Sequence, residues 1–234
     1  FINKSKQTFF TKNKIFLVNF NLWNEEYVDF FIEYTLPSLQ LDGVAYRKDI
    51  AIYFFLDEVS HNKIKNNKLF LKVSKDYEVF YNIIPEVIFN NNFYKNDIAR
   101  TRYFLYGAFQ NICWKICALN DLHLILLNPD NIYCKNFINN LIVYLNKEKF
   151  EVVFASNTLR VQKELLKDKS YLSEVLESDY NSSIMLKFAL NNLHSSFLSH
   201  LVSNKNKYFI NATYLLFLQI NGISIHSFWA HPYL

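Results

Sequence analysis

The hydrophobic positions of this chain fall into short runs separated by stretches of helical spacing. Lys14–Asn19 (KIFLVN) is an apolar run that closes on a polar residue, the pattern of a buried strand. Asp49–Leu56 (DIAIYFFL) is continuously apolar and bounded by charge, as expected of a strand covered on both faces. Tyr77–Ile84, closed by Pro85, repeats the theme, as do Asp121–Leu127 (DLHLILL) and Phe150–Ala155 (FEVVFA). Between the first two runs, Asn24–Leu39 sets Tyr27, Phe30, Phe31 and Tyr34 at helical intervals. Asn24 serves there as cap, Glu25 and Glu26 occupy the first turn, and Pro37 ends or bends the helix. His61–Val73 and Lys135–Lys147 also read as helices. The longest helix is predicted over Asp97–Leu119, where Ile98, Arg102, Leu105, Phe109, Ile112, Ile116 and Leu119 form one stripe. Two more helices are predicted at Val161–Leu176 and Ile184–Ser203. Tyr208–Ile225 fits neither period alone.

Strand and helix in alternation predict an α/β fold. We expect a single domain over residues 1–234, with a mostly parallel open sheet and helices on both faces. Sheets of this kind bind ligands beyond the carboxyl ends of their strands. Polar residues that follow a strand are therefore the first candidates for chemistry: Asn19–Asn24, Asp57 with Glu58, Asn128–Asp130 and Ser156–Arg160.

Composition changes this picture in one respect. The 234 residues include only 3 Gly and 4 Pro, against 23 Phe and 16 Tyr. A disordered or collagen-like chain is excluded. Gly43, Gly107 and Gly222 cannot form a glycine-built phosphate loop, so a phosphate ligand would need side chains, a metal or strand-end amides. The net charge of +4 comes from scattered lysines rather than one basic face, and no nucleic acid is expected as partner. Cys113 and Cys117 share a helix face among Ile112, Trp114 and Ile116, with no further ligand at zinc spacing. With Cys134 they read as core thiols of a reducing compartment. No apolar run is much longer than Ala51–Leu56, whereas a bilayer span needs about 20 residues. Neither a transmembrane segment nor a signal peptide is expected.

Asn128-Pro129-Asp130 pairs two side-chain oxygens at a strand end, which suits a divalent cation bridging phosphates. The same tripeptide also reads as a plain turn. Arg102 interrupts an apolar stripe, so it either snorkels to solvent or meets an anion. Arg100 points well away from it around the helix, and Arg160 offers a further phosphate contact. His226 and His231 flank Trp229. Each imidazole suits a metal, a proton transfer or a hydrogen-bonded core position, and a shared ion would need a bend between them. Asp57, Glu58, Glu174, Glu177 and Asp179 are the candidate general bases, and spacing does not choose among them.

Several segments, taken in order, carry a resemblance. They are Trp23…Tyr27…Phe30 leading into Leu36-Pro37-Ser38-Leu39, then Ile98-Ala99-Arg100-Thr101-Arg102-Tyr103 at a helix start. Leu126-Leu127-Asn128-Pro129-Asp130, Asn157-Thr158-Leu159-Arg160-Val161 and His231-Pro232 follow. The set resembles nucleotide-sugar glycosyltransferases of the GT-A type, and uncharacterised bacterial glycosyltransferase-like proteins in particular. The resemblance implies a GT-A-like fold and transfer of a sugar from a nucleotide-diphosphate donor to a surface glycan or lipid-linked acceptor. It makes Asp130 the catalytic and metal-binding residue, at the place of the family's Asp-x-Asp motif, with Asn128 where the first Asp would stand. It implies a Mn or Mg ion, with His231 or His226 as the late metal ligand. Arg100 or Arg102 would contact the diphosphate, and Asn19, Asn21 and Trp23 would meet the nucleotide. The implied setting is bacterial polysaccharide biosynthesis, in the cytoplasm or at the inner membrane face. The substitution at Asn128 favours the alternative, a catalytically inactive GT-A-like binding or scaffold domain of a larger glycan-synthesis protein.

Overall fold

A computed structural model describes residues 14–40, 49–90, 95, 97–148, 159–166, 169–198, 201–202, 214–219 and 222–227. The chain divides into two compact units, Phe1–Val153 and Phe154–Leu234.

The first unit is built on four parallel strands: β1 (Phe16–Leu22), β2 (Ile50–Leu56), β3 (Glu78–Ile83) and β4 (His123–Leu127). Their order is β3-β2-β1-β4, with Phe20 of β1 opposite Phe54 on one side and Leu127 on the other. The expected parallel α/β sheet is therefore present. Strand β1 extends beyond the run read from the sequence to take in Asn21 and Leu22, and all seven of its residues are buried. Alternation sorts the strand residues onto two faces. Phe16, Val18, Phe20, Leu22, Ile50, Phe54 and Leu56 enter one core cluster, whereas Leu17, Trp23, Ala51 and Phe55 enter a second.

The first face is covered by a helix that never breaks. Helix α1 (Glu25–Phe30) passes through a π-helical turn, Phe31–Thr35, into α2 (Leu36–Gln40). Pro37 thus sits inside the helix; of the two outcomes expected, ending or bending, the helix does not end there. A proline lacks the N–H and crowds the preceding turn, and the widened π turn directly before it relieves that conflict. The predicted helix over His61–Val73 is two helices, α3 (Glu58–Lys65) and α4 (Lys68–Asp76), each started by its own cap. Asp57 accepts from the Ser60 N–H, and Asn67 from those of Leu69 and Phe70. Helix α5 (Glu86–Asn90) follows β3.

Helix α6 (Ile98–Asn120) lies against the second face. Its buried seam is Phe109, Cys113 and Cys117, with Leu105, Tyr106, Ile112 and Ile116 partly buried beside it. The stripe read from the sequence is rotated, since Ile98 and Leu119 are exposed at 48% and 74%. The buried seam thus runs through two small cysteines where larger aliphatics were expected. Their thiols are free, and burial pushes both up to about 12, as expected of inert core groups. Helix α7 (Phe137–Glu148) closes the first unit's described elements and sends Ile138 and Ile142 into the first core.

In the second unit, a 3₁₀ turn at Lys163–Leu166 and helix α8 (Lys169–Glu177) replace the single helix expected over Val161–Leu176. The helix expected over Ile184–Ser203 is likewise divided into α9 (Ser182–Asn191) and α10 (Ser195–Leu198), and Leu201–Val202 is strand β5. Asn192 folds its amide back to the Phe188 carbonyl, and His194 Nδ1 accepts the Ser196 N–H, so one helix stops and the next begins. Strands β6 (Tyr214–Gln219) and β7 (Gly222–Ser227) form an antiparallel pair, with β5 parallel to β6. The strand predicted at Phe150–Ala155 lies outside the described residues. Among those residues, no helix is long and apolar enough to cross a membrane.

The ring of Phe54, 1% exposed, lies 5.4 Å from that of Phe20, 5.8 Å from Phe31 and 5.6 Å from Phe70. Phe54→Ala should cost about 3–5 kcal/mol of stability, read from the urea midpoint.

Candidate functional site at the ends of β1 and β4

From β1 the chain goes on to β2 and β3 on one side, whereas β4 pairs with β1 on the other. Connections that leave in opposite directions open a crevice beyond the carboxyl ends of β1 and β4. A recess of about 250 Å³, counting its open mouth, lies beside the end of β1 and is lined by Asn21, Trp23, Tyr27, Arg102 and Tyr106.

Each lining residue is placed by simple geometry. Asn21 and Trp23 alternate onto the face of β1 that α6 covers. Trp23 is mostly core, its ring 5.0 Å from Tyr106 and 5.8 Å from Phe109. Asn24 then turns the chain sharply, at φ 79°. Its N–H donates to Asp57 Oδ2 at 3.1 Å, and its Oδ1 accepts the Glu26 N–H at 3.2 Å. This turn brings Tyr27, in the first turns of α1, over the end of the strand. Arg102 and Tyr106 stand one helical turn apart on α6 and face the same recess. The Tyr106 hydroxyl donates to the Asn21 carbonyl at 3.3 Å, and the Arg102 guanidinium lies 5.6 Å from the centre of the Tyr27 ring.

Two polar atoms of this recess are shut off from solvent with no hydrogen-bond partner among the described residues: Asn21 Oδ1 and Arg102 Nε. No carboxylate pairs with Arg102 among the described residues.

The Asn128–Asp130 segment is a turn and a tightly held one. The Tyr133 hydroxyl accepts the Asn128 N–H and donates to the Asn128 carbonyl, both at 3.0 Å. Thr35, in the π turn, donates to the Pro129 carbonyl at 2.7 Å. Ser38 accepts the Tyr133 N–H at 3.1 Å and donates to the Thr35 carbonyl at 2.7 Å. This buried chain of bonds leaves Asn128 and Asp130 exposed at the strand end. Burial pushes the Tyr106 hydroxyl up to about 12, with the Asp130 and Tyr27 charges adding to the rise and Arg102 opposing it. Asp130 and Arg102 are thus each felt at the Tyr106 hydroxyl.

Other residues named from the sequence lie elsewhere. Asn19 is buried inside β1 and spends its amide on the Tyr53 carbonyl of β2 at 3.1 Å. Arg100 is exposed, 5.8 Å from the Phe104 ring. Asp57, a candidate base, uses both oxygens on the backbone N–H groups of Asn24 and Ser60. Arg160 belongs to the second unit, is exposed, and accepts the His194 N–H on its carbonyl at 2.8 Å. His226 lies in β7 opposite Leu215, and His231 falls outside the described residues. Sequence reasoning missed Tyr106 as a site residue, although its place one turn beyond Arg102 was a usable signal. The anchoring roles of Thr35 and Tyr133 left no such signal.

A tyrosine held above its ordinary value of 10.0 stays protonated in the fold while its unfolded counterpart ionises. Its contribution is complete below pH 10 and is lost as the pH rises from 10 towards 12. Tyr53, Tyr81, Tyr133 and Tyr180 are also raised, chiefly by burial, and add to the same loss. Tyr106→Phe should make stability fall less steeply over that window, measured as urea midpoints at successive pH values.

Searches of family models, curated proteins and solved structures each find no match to this chain, so the crevice is characterised by its own residues alone.

Proposed function

We propose that the first unit binds a nucleotide-diphosphate sugar in the crevice between β1 and β4 and transfers the sugar to a glycan or lipid-linked acceptor. The observation that carries this reading is Arg102. A half-buried guanidinium, with no carboxylate partner among the described residues, stands beside Asn21 at the carboxyl end of β1, where strand order reverses. Such a cation is suited to diphosphate oxygens, which it can hold through paired N–H bonds. The charge that builds on the departing phosphate is stabilised by the same group. In a chain with so few glycines, a side-chain cation takes the place of a backbone phosphate loop.

Among the described residues, no three His, Cys, Asp or Glu side chains are grouped to hold a metal ion. A metal cage built from the described residues alone is therefore a poor fit. A Mg or Mn ion shared with a diphosphate needs only one or two carboxylates, its other ligands being phosphate oxygens and water. Asp130, with Asn128 beside it, is the donor set for that arrangement, and the ion would supply further neutralisation of phosphate charge. A second reading, a donor-binding domain without turnover, is favoured by the amide at Asn128, which weakens any such ion site.

Calorimetric titration with UDP-, GDP- and CMP-sugars, with and without Mn²⁺, tests the proposal. At least one donor should bind, and Arg102→Ala should weaken it about 10- to 100-fold, the worth of a charged hydrogen bond. Asp130 is exposed, so Asp130→Ala should leave the melting temperature nearly unchanged while abolishing sugar transfer and any Mn²⁺ enhancement of binding. Binding without transfer to any acceptor supports the second reading, and absence of binding to every donor overturns both.

A further inference from the structure

Helix α6 packs its inner side on β1 and β4, and its outer side is bare and largely apolar. Tyr103, Phe104, Trp114 and Leu119 are 79%, 59%, 65% and 74% exposed. Gly107, Ala108 and Ala118 lie exposed between them, and Asn111 and Lys115 are the only polar residues of the stretch. A helix that covers a sheet ordinarily turns charge to water. Helix α4 does so, exposing Lys68, Lys72, Lys75 and Asp76. Gly107 adds a second departure. A side chain there would meet nothing within 4 Å beyond its own helical turn. Glycine weakens a helix interior relative to alanine, and nothing described in this chain packs closely enough to require it. The chain has only 3 glycines in 234 residues.

The outer stripe is self-complementary in size. Phe104, Asn111 and Ala118 lie along its middle, Gly107 and Trp114 along one side, and Ala108 and Lys115 along the other. Consider a second copy laid antiparallel, with the two-fold axis beside Asn111. Each position then meets the one equally far beyond Asn111 on the same side. Trp114 of one copy covers Gly107 of the other, Phe104 covers Ala118, and the Lys115 stem lies along Ala108. Asn111 meets its twin, and an amide can both donate and accept. The two Lys115 charges stay about 12 Å apart along the axis, beyond a Debye length in physiological salt. Parallel copies would set Trp114 on Trp114 and Gly107 on Gly107, a clash beside a void. The three exposed rings offer about 400 Å², taking roughly 200 Å² for a whole aromatic side chain. Leu119 and the smaller residues bring the stripe towards the roughly 800 Å² that each partner of a stable complex buries.

We propose that the outer face of α6 is the interface of a homodimer, its two helices antiparallel about Asn111 and Trp114 of each copy seated over Gly107 of the other. This pairing does not depend on what the recess holds, because Arg102 and Tyr106 stand on another side of the helix.

Sedimentation equilibrium of the full chain over a concentration series tests the proposal. The wild type should approach twice 27.9 kDa as concentration rises. Trp114→Ala, which removes the large partner, and Gly107→Leu, which fills its seat, should each raise the dissociation constant about 30-fold or more, the mark of an interface hot spot. Leucine at position 107 has room within its own chain and favours helix, so Gly107→Leu should keep or raise the melting temperature in dilute solution. Register is read separately, with Cys134 changed to serine. Asn111→Cys should then be joined to its twin by a short bifunctional maleimide. Val143→Cys, also exposed but on α7 over the other core, should not. A wild type that stays monomeric at every concentration overturns the proposal, whether the stripe then takes up phosphatidylglycerol vesicles or another part of this chain. A dimer that both α6 variants leave intact overturns it too. So does crosslinking of Val143→Cys as readily as Asn111→Cys, which puts the contact elsewhere.

Discussion

Strand β1 is hydrogen-bonded along both edges and buried on both faces, and this confinement governs the rest of the first unit. All seven residues from Phe16 to Leu22 are buried, with β2 on one side and β4 on the other. A strand so enclosed can release its chain only at its ends. At the carboxyl end, the route towards β2 and the route out of β4 diverge, and the space between them is left open by topology rather than by any special loop. The left-handed turn at Asn24, held by Asp57, then starts a helix directly over the strand end. A second constraint supports the first. The π turn before Pro37 brings Thr35 to the Pro129 carbonyl, so the helix after β1 is bonded to the turn after β4.

The electrostatics of the crevice follow from that geometry. One guanidinium lies over the Tyr27 ring with no carboxylate partner among the described residues, and an exposed carboxylate, Asp130, stands at the end of the neighbouring strand. A scaffold of satisfied, buried bonds that presents a few unsatisfied groups is the arrangement expected of a binding site. Asn19 is bonded within the sheet, whereas Asn21 Oδ1 has no partner among the described residues, although they are two residues apart on the same strand.

Much of the fold could be read from hydrophobic pattern because its strands are extreme cases. Ile50–Leu56 is apolar throughout, and no amphipathic helix has that pattern. The places where reading stopped short share a cause. Asn19 and Asn21 look like the polar end of a strand, because the Tyr53 carbonyl that satisfies Asn19 is 34 residues away in sequence. Pro37 reads as either an end or a bend, because the π turn that absorbs it is a matter of hydrogen-bond register. Val161–Leu176 and Ile184–Ser203 look continuous, because caps such as His194 compete with helix propensity only once the chain has folded. Within the site, Arg102 was legible as a cation out of place on an apolar stripe. Asp130 was legible as a carboxylate after a buried strand. Tyr106 was hidden among many aromatic residues that pad the core, and Trp23, expected in a cleft, lies chiefly in that core.

The central claim is that a nucleotide diphosphate sits where strand order reverses, against Arg102 and beside Asp130. A crystal structure of the protein with UDP and Mn²⁺ tests this most directly. The account predicts diphosphate density within hydrogen-bonding distance of Arg102, in the crevice between the ends of β1 and β4. Nucleotide density elsewhere on the molecule, with Arg102 still lying over Tyr27 and the crevice unchanged, would contradict it.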